Sequence, residues 1–218
     1  MGASACSRDD AAEPEPPALV SAPHIATRED PIDPVPIDDK VDPRKVRLGA
    51  QLFNDPILSS GGDVACTTCH DLQKGGADGR ALSDLPGHPA AIVNTPTVFN
   101  VSLNYRYHWA GKFDDLSTQL ETPITSPRVM STTYQGIVDR LKKTPDYPKR
   151  FREIYPDGIT ADSFRDAMVA FEESLVTPNS RFDRYLRGDK TALSDDTGKV
   201  RSSMTRRPSS RKSKGRVV

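Results

Sequence analysis

Residues 66–70 read Cys66-Thr67-Thr68-Cys69-His70, two thiols three positions apart with an imidazole directly after the second. That spacing sets both sulfurs on one helical turn, where each can form a thioether to one of the two vinyl groups of a porphyrin. The adjacent imidazole is left to bind the iron, and Cys-x-x-Cys-His is the attachment signature of c-type haem. With three cysteines and four histidines in 218 residues, chance assembly of the pattern comes to about 7 in ten thousand, so the arrangement is not incidental. Two other uses of paired cysteines fit less well. A thioredoxin-type pair needs a βαβ setting, and Asp63-Val64-Ala65 is a poor strand. A structural zinc site takes four ligands, and the sequence offers no second Cys or His pair. One covalent haem c is therefore expected, held by Cys66 and Cys69 with His70 as proximal iron ligand.

The elements around this motif must supply an apolar pocket. At 35% hydrophobic residues with nineteen prolines, the chain reads as one domain with tails, part of it disordered. No apolar run approaches the eighteen or so residues of a membrane-spanning helix. The net charge of zero hides an asymmetry: all 30 acids lie at or before Asp196, while eight of the 30 bases follow it, leaving the first 196 residues at −8. Residues 1–41 are expected to form a disordered tether rich in proline and acids, with His24 solvated inside it. Residues 195–218 read as a disordered basic tail; a nucleic-acid or anionic-lipid patch is the functional alternative, and an exported haem protein meets no nucleic acid. Covalent haem attachment occurs outside the bacterial cytoplasm, which implies a periplasmic protein. The N-terminus lacks the charged and apolar regions of a signal peptide, while Ala3-Ser4-Ala5-Cys6 is similar to the end of a lipoprotein cleavage site. Cys6 is accordingly either a lipid anchor or an incidental cysteine.

Between the tails, residues 42–194 read as all-α. Asp42-Pro43 is an N-cap followed by proline at the first helical position, and Val46, Leu48, Leu52 and Phe53 predict an amphipathic helix ending near Asn54. Ser59-Ser60-Gly61-Gly62 is a turn leading into the motif, and Gly75–Pro89 is a glycine-rich loop containing His88. A helical turn is expected over Pro96–Val101, with helices over Thr132–Lys143, Tyr147–Tyr155, from Thr160 to Leu175, and from Phe182 to Gly188. Phe164, Met168, Phe171 and Leu175 share one face of the third of these. No alternating strand pattern interrupts them.

The stretch from about Pro36 to Ser194 resembles the N-terminal half of bacterial di-haem cytochrome c peroxidases and the related methylamine-utilisation enzymes. Carrying the match, in order, are Leu52-Phe53-Asn54-Asp55-Pro56, the haem motif with Asp71-Leu72, Gly75-Gly76-Ala77-Asp78-Gly79, Gly87-His88, Asn94-Thr95-Pro96, Trp109-Ala110-Gly111-Lys112, Phe171-Glu172 and Thr177-Pro178-Asn179-Ser180-Arg181-Phe182-Asp183. The resemblance implies a cytochrome c-like domain that binds hydrogen peroxide at its haem and takes electrons from a small cytochrome c or a cupredoxin. It implies His88 as the distal iron ligand, released on activation, and Asn94 as a calcium ligand. It implies Trp109 as the tryptophan between two haems, and Gln119 as the glutamine of the distal pocket.

Two departures from that pattern bear on activity. Where the family has a glutamate before a methionine, this chain reads Pro127-Arg128-Val129-Met130; Val129 cannot transfer a proton, and loss of such a group costs about 10² to 10⁴ in rate. Glu121 is a nearby acid that could stand in, and Met130 reads as core. The second departure is that the resemblance stops at Ser194, before the half that carries a second haem, so a truncated member with poor turnover is expected. A mono-haem electron carrier without catalysis is the rival reading.

Overall fold

The computed structural model describes residues 32–37, 41–83, 85, 87, 88 and 92–193. Cys6, His24 and the basic tail lie outside them. The described residues form seven α-helices and no strand pair beyond one isolated bridge between Tyr107 and Phe113. The helices are α1 (Pro43–Asn54), α2 (Leu116–Gln119), α3 (Glu121–Thr125), α4 (Tyr134–Lys143), α5 (Tyr147–Arg152), α6 (Ala161–Ser174) and α7 (Arg181–Leu186).

Two long helices carry the fold, and each begins where the sequence supplies a cap. The Asp42 carboxylate accepts from the Arg44 amide at 2.8 Å at the head of α1. Thr160 and Ser163 cap α6 reciprocally: the Ser163 amide donates to the Thr160 hydroxyl at 3.0 Å, and the Thr160 amide donates to the Ser163 hydroxyl at 2.9 Å. This satisfies two of the donors a helix start leaves open. α1 then crosses α6 at Gly49, where a Cβ would stand 2.0 Å from the Ala167 carbonyl oxygen. Only glycine permits that approach. Around the crossing, Leu48, Leu52, Phe53, Phe164, Ala167, Met168 and Phe171 are buried, and α4 and α5 add Ile137, Leu141 and Phe151. Truncating one of these phenylalanines to alanine typically costs about 3–5 kcal/mol.

Several elements differ from the expected bounds. The turn expected over Pro96–Val101 forms at Val101–Leu103 instead, because Asn100 takes a left-handed conformation and bonds across to Thr177. α4 starts at Tyr134 because Thr133 serves as its cap. α5 stops at Arg152 rather than Tyr155, closing into the turn that ends at Gly158. α7 spans Arg181–Leu186, one residue earlier at its start and two shorter at its end than expected. The helices α2 and α3 were not expected at all; at four and five residues they are too short to show a period. Within the stretch read as tether, residues 32–37 are fastened to α7: the Val35 amide donates to Asp183 at 2.8 Å, and Arg187 donates to the Val35 carbonyl.

Candidate haem site

The motif itself is a single 3-10 turn, Cys66–Thr68, closed by Cys69 N–H to Cys66 O at 3.2 Å and His70 N–H to Cys66 O at 2.9 Å. Both thiols are free and half-buried, and Cys66 packs against the main core. The turn is aimed from below by Ser59. This fully buried hydroxyl accepts from the amides of Asp63 and Val64, each at 3.1 Å, and so fixes the approach to Cys66. Arg140 holds the preceding turn in place by donating to the Ile57 and Leu58 carbonyls, both at 2.7 Å. Neither residue is visible as a site residue in the sequence; Arg140 reads there as one of several charges on α4.

The ring of His70 is oriented by a carbonyl. Its Nδ1 lies 3.2 Å from the Gly76 oxygen, and a carbonyl can only accept, so Nδ1 carries the hydrogen and Nε2 keeps the lone pair a metal requires. Burial holds its pKa below the ordinary imidazole range, against the opposing pull of the Gly76 and Pro96 carbonyls. The ring is thus biased toward the neutral form that can ligate. Gly76 reaches this position with φ +72, and a Cβ there would meet Phe99, Thr97 and Val98 at 3.0–3.1 Å. The same Gly76 oxygen accepts from the Val98 amide at 3.2 Å, so the segment 94–100 closes over the motif. Thr95 comes to the Cys69 thiol, whose pKa is raised mainly by burial. Asn100 ties the segment to the end of α6 through Leu175 and Thr177.

The remaining expected residues are partly brought together. His88 is mostly buried and stands with Nε2 3.4 Å from the Asp63 carboxylate, three residues before Cys66. Trp109 is 54% exposed, and its indole donates to the Asn94 carbonyl at 2.8 Å. The Asn94 and Trp109 expected from the resemblance are therefore direct partners, though the bond uses the Asn94 backbone and leaves its side chain exposed. Among the described residues no group of three His, Cys, Asp or Glu is placed to hold a free metal ion. Gln119 is half-buried at the end of α2, Val129 is half-buried against the core, and Met130 is a core residue at 3% exposure. Glu121 and His108 are exposed, and His108 sits at φ +68 with its ring edge-on to Phe113.

One residue of the site was not anticipated. Glu172 on α6 is 6% exposed, its Oε2 has no hydrogen-bond partner among the described residues, and its charge bears on the Cys66 thiol. Two free thiols on one turn and an imidazole with Nε2 left open fit haem c attached at this point. A sequence signal existed: Glu172 lies four residues after Met168, on the edge of the apolar stripe of α6.

A family model described as di-haem cytochrome c peroxidase matches residues 43–191. The cytochrome c peroxidase Ccp of Escherichia coli (strain K12) is 39% identical over 167 residues, covering 76% of this chain and 36% of that protein. The cytochrome c551 peroxidase of Nitrosomonas europaea is 35% identical over 180 residues, covering 82% of this chain and 54% of the relative. The chain thus spans between about a third and a half of the length of these curated relatives. Among solved structures, a MauG-like protein associated with microbial copper homeostasis superposes with a TM-score of 0.67 at 24% identity, covering 83% of this chain and 54% of that one, which establishes the shared fold.

Proposed function

Because this chain belongs to the di-haem cytochrome c peroxidase family, we propose that it carries one covalent haem c and serves as a peroxidase-type oxidoreductase. It would reduce hydrogen peroxide to water with electrons from a small cytochrome c or a cupredoxin, in the periplasm. The observation that carries the reading is the His70–Gly76 bond at 3.2 Å beside two free thiols on one turn. When bound, haem would supply an iron that exchanges single electrons and binds oxygen ligands.

The roles of the chain's own residues follow from their chemistry. Cys66 and Cys69 would hold the ring by two thioethers, and His70 would offer Nε2 to the iron while Nδ1–H stays on the Gly76 carbonyl, a hydrogen bond that makes the imidazole a stronger donor. His88 would be a second, releasable iron ligand, and the Asp63 carboxylate 3.4 Å from its Nε2 gives the ring a partner when it is not bound. Gln119 is the polar side chain on offer to a bound peroxide. Asn94 is proposed as a calcium ligand and Trp109 as the aromatic link toward an electron source.

Proton delivery is the step this chain is least equipped for. Val129 stands where the family resemblance places a carboxylate, and its isopropyl group neither holds nor moves a proton. The haem-loaded 218-residue polypeptide, mixed with peroxide and a reduced cytochrome, should therefore turn over slowly. Val129→Glu should accelerate the peroxide-dependent step by on the order of 10², measured by rapid mixing. Turnover by the unmodified polypeptide equal to that of a glutamate-containing relative assayed alongside, or no acceleration in Val129→Glu, would contradict this assignment.

A further inference from the structure

Glu172 is a buried acid for which the peroxidase reading has no use. It lies near the C-terminal end of α6, 6% exposed, with Oε2 unpartnered among the described residues. Buried carboxyls in folded proteins are as a rule hydrogen-bonded or ion-paired. Burial alone pushes this one up to about 8, with no cation among the causes.

The groups facing it explain why no cation compensates. From the motif turn comes Cys66, and from the bridged segment comes the Tyr107 phenol, both of which feel its charge and both of which are held neutral by burial. Asp115, at the head of α2, and Glu173, on α6 itself, also bear on Tyr107 and are negative in sign. Lys45 of α1 acts on the neighbouring Glu173 and is paired with Asp166 at 2.8 Å. Glu172 is left beside the Tyr107 phenol and Cys66, one of the two cysteines that would be bonded to the porphyrin ring.

We propose that Glu172 is a proton store coupled to the oxidation state of the haem: its carboxyl takes up one proton as the iron bound at this turn gains one electron, and releases it as the iron is oxidised. The oxidised centre carries one positive charge more than the reduced one, and across a low-dielectric interior that charge favours the carboxylate. The only bond made or broken is the carboxyl O–H. Peroxide reduction consumes protons together with electrons, and a store of this kind keeps a proton inside a fold whose Val129 holds none. The proposal rests on haem c attached at Cys66 and Cys69.

The test is a spectroelectrochemical titration of the haem-loaded protein from about pH 6 to about pH 9, after its thioether-bound haem has been verified by pyridine haemochrome. Deprotonation of Glu172 stabilises the oxidised form, so the midpoint potential should fall as pH rises. The limiting slope is a tenfold change in equilibrium per pH unit, or 59 mV for one electron. Glu172→Gln should flatten that slope while leaving the haemochrome unchanged, and an identical slope in both proteins would overturn the proposal. Redox-difference infrared of the unmodified protein decides independently of how the variant folds. A protonated carboxyl band lost on oxidation supports the store, and its absence overturns it. If the unmodified protein shows no thioether haem, the haem reading falls and takes this one with it.

Discussion

His88 has an acidic partner within reach: its Nε2 is 3.4 Å from the Asp63 carboxylate, and Asp63 leads directly into the motif turn. The contact ties the loop that carries His88 to the residue three positions before Cys66, and the proposed role of His88 as an iron ligand can be tested directly. In the haem-loaded resting protein, His88→Ala should convert a low-spin ferric spectrum to a high-spin one at neutral pH, because the iron loses its sixth ligand. An unchanged spectrum would exclude His88 and turn attention to His108. At this scale the sequence is legible where chemistry fixes spacing, as in Cys66, Cys69 and His70. It is silent where a role depends on the fold. Ser59, Arg140 and Glu172 are a serine, an arginine and a glutamate among many, and only burial and partners set them apart.

Among the elements, the crossing of α1 and α6 positions everything else, since α1 ends two residues before the turn that Arg140 clamps and α6 presents Phe171 and Glu172 to the motif. Phe53 links the two, with its ring 5.1 Å from Phe171 and 6.2 Å from His70. Gly49→Ala would force a Cβ to within 2.0 Å of the Ala167 carbonyl, an overpacking worth about 3 kcal/mol and a fall in Tm on the order of 10 °C for a domain of this size. A Tm unchanged by that substitution, measured by calorimetry on the haem-loaded protein, would show that the helices do not approach so closely. The long helices were readable in advance because caps and a 3.6-residue period reinforce each other over three or four turns. The segments that wrap the haem motif were not. Residues 94–100 are shaped by left-handed Asn100 and by bonds to Gly75, Gly76 and Thr177, long-range partners that leave no local periodicity. Likewise the docking of residues 32–37 depends on Asp183 and Arg187, some 150 positions away.

For the whole molecule, fold class and family follow from the order of short segments along the sequence, and the helical architecture and the match over residues 43–191 agree with them. The relatives are roughly two to three times as long as the stretch they share with this chain, and the haem site can be tested on the 218-residue polypeptide directly. The decisive measurement is the intact mass of that polypeptide, produced with a cytochrome c maturation system and extracted in acid acetone. A mass increase equal to a single haem, retained through extraction and mapped to the peptide containing Cys66 and Cys69, is the predicted result. An unmodified polypeptide under those conditions, with the haem washed out, would contradict it.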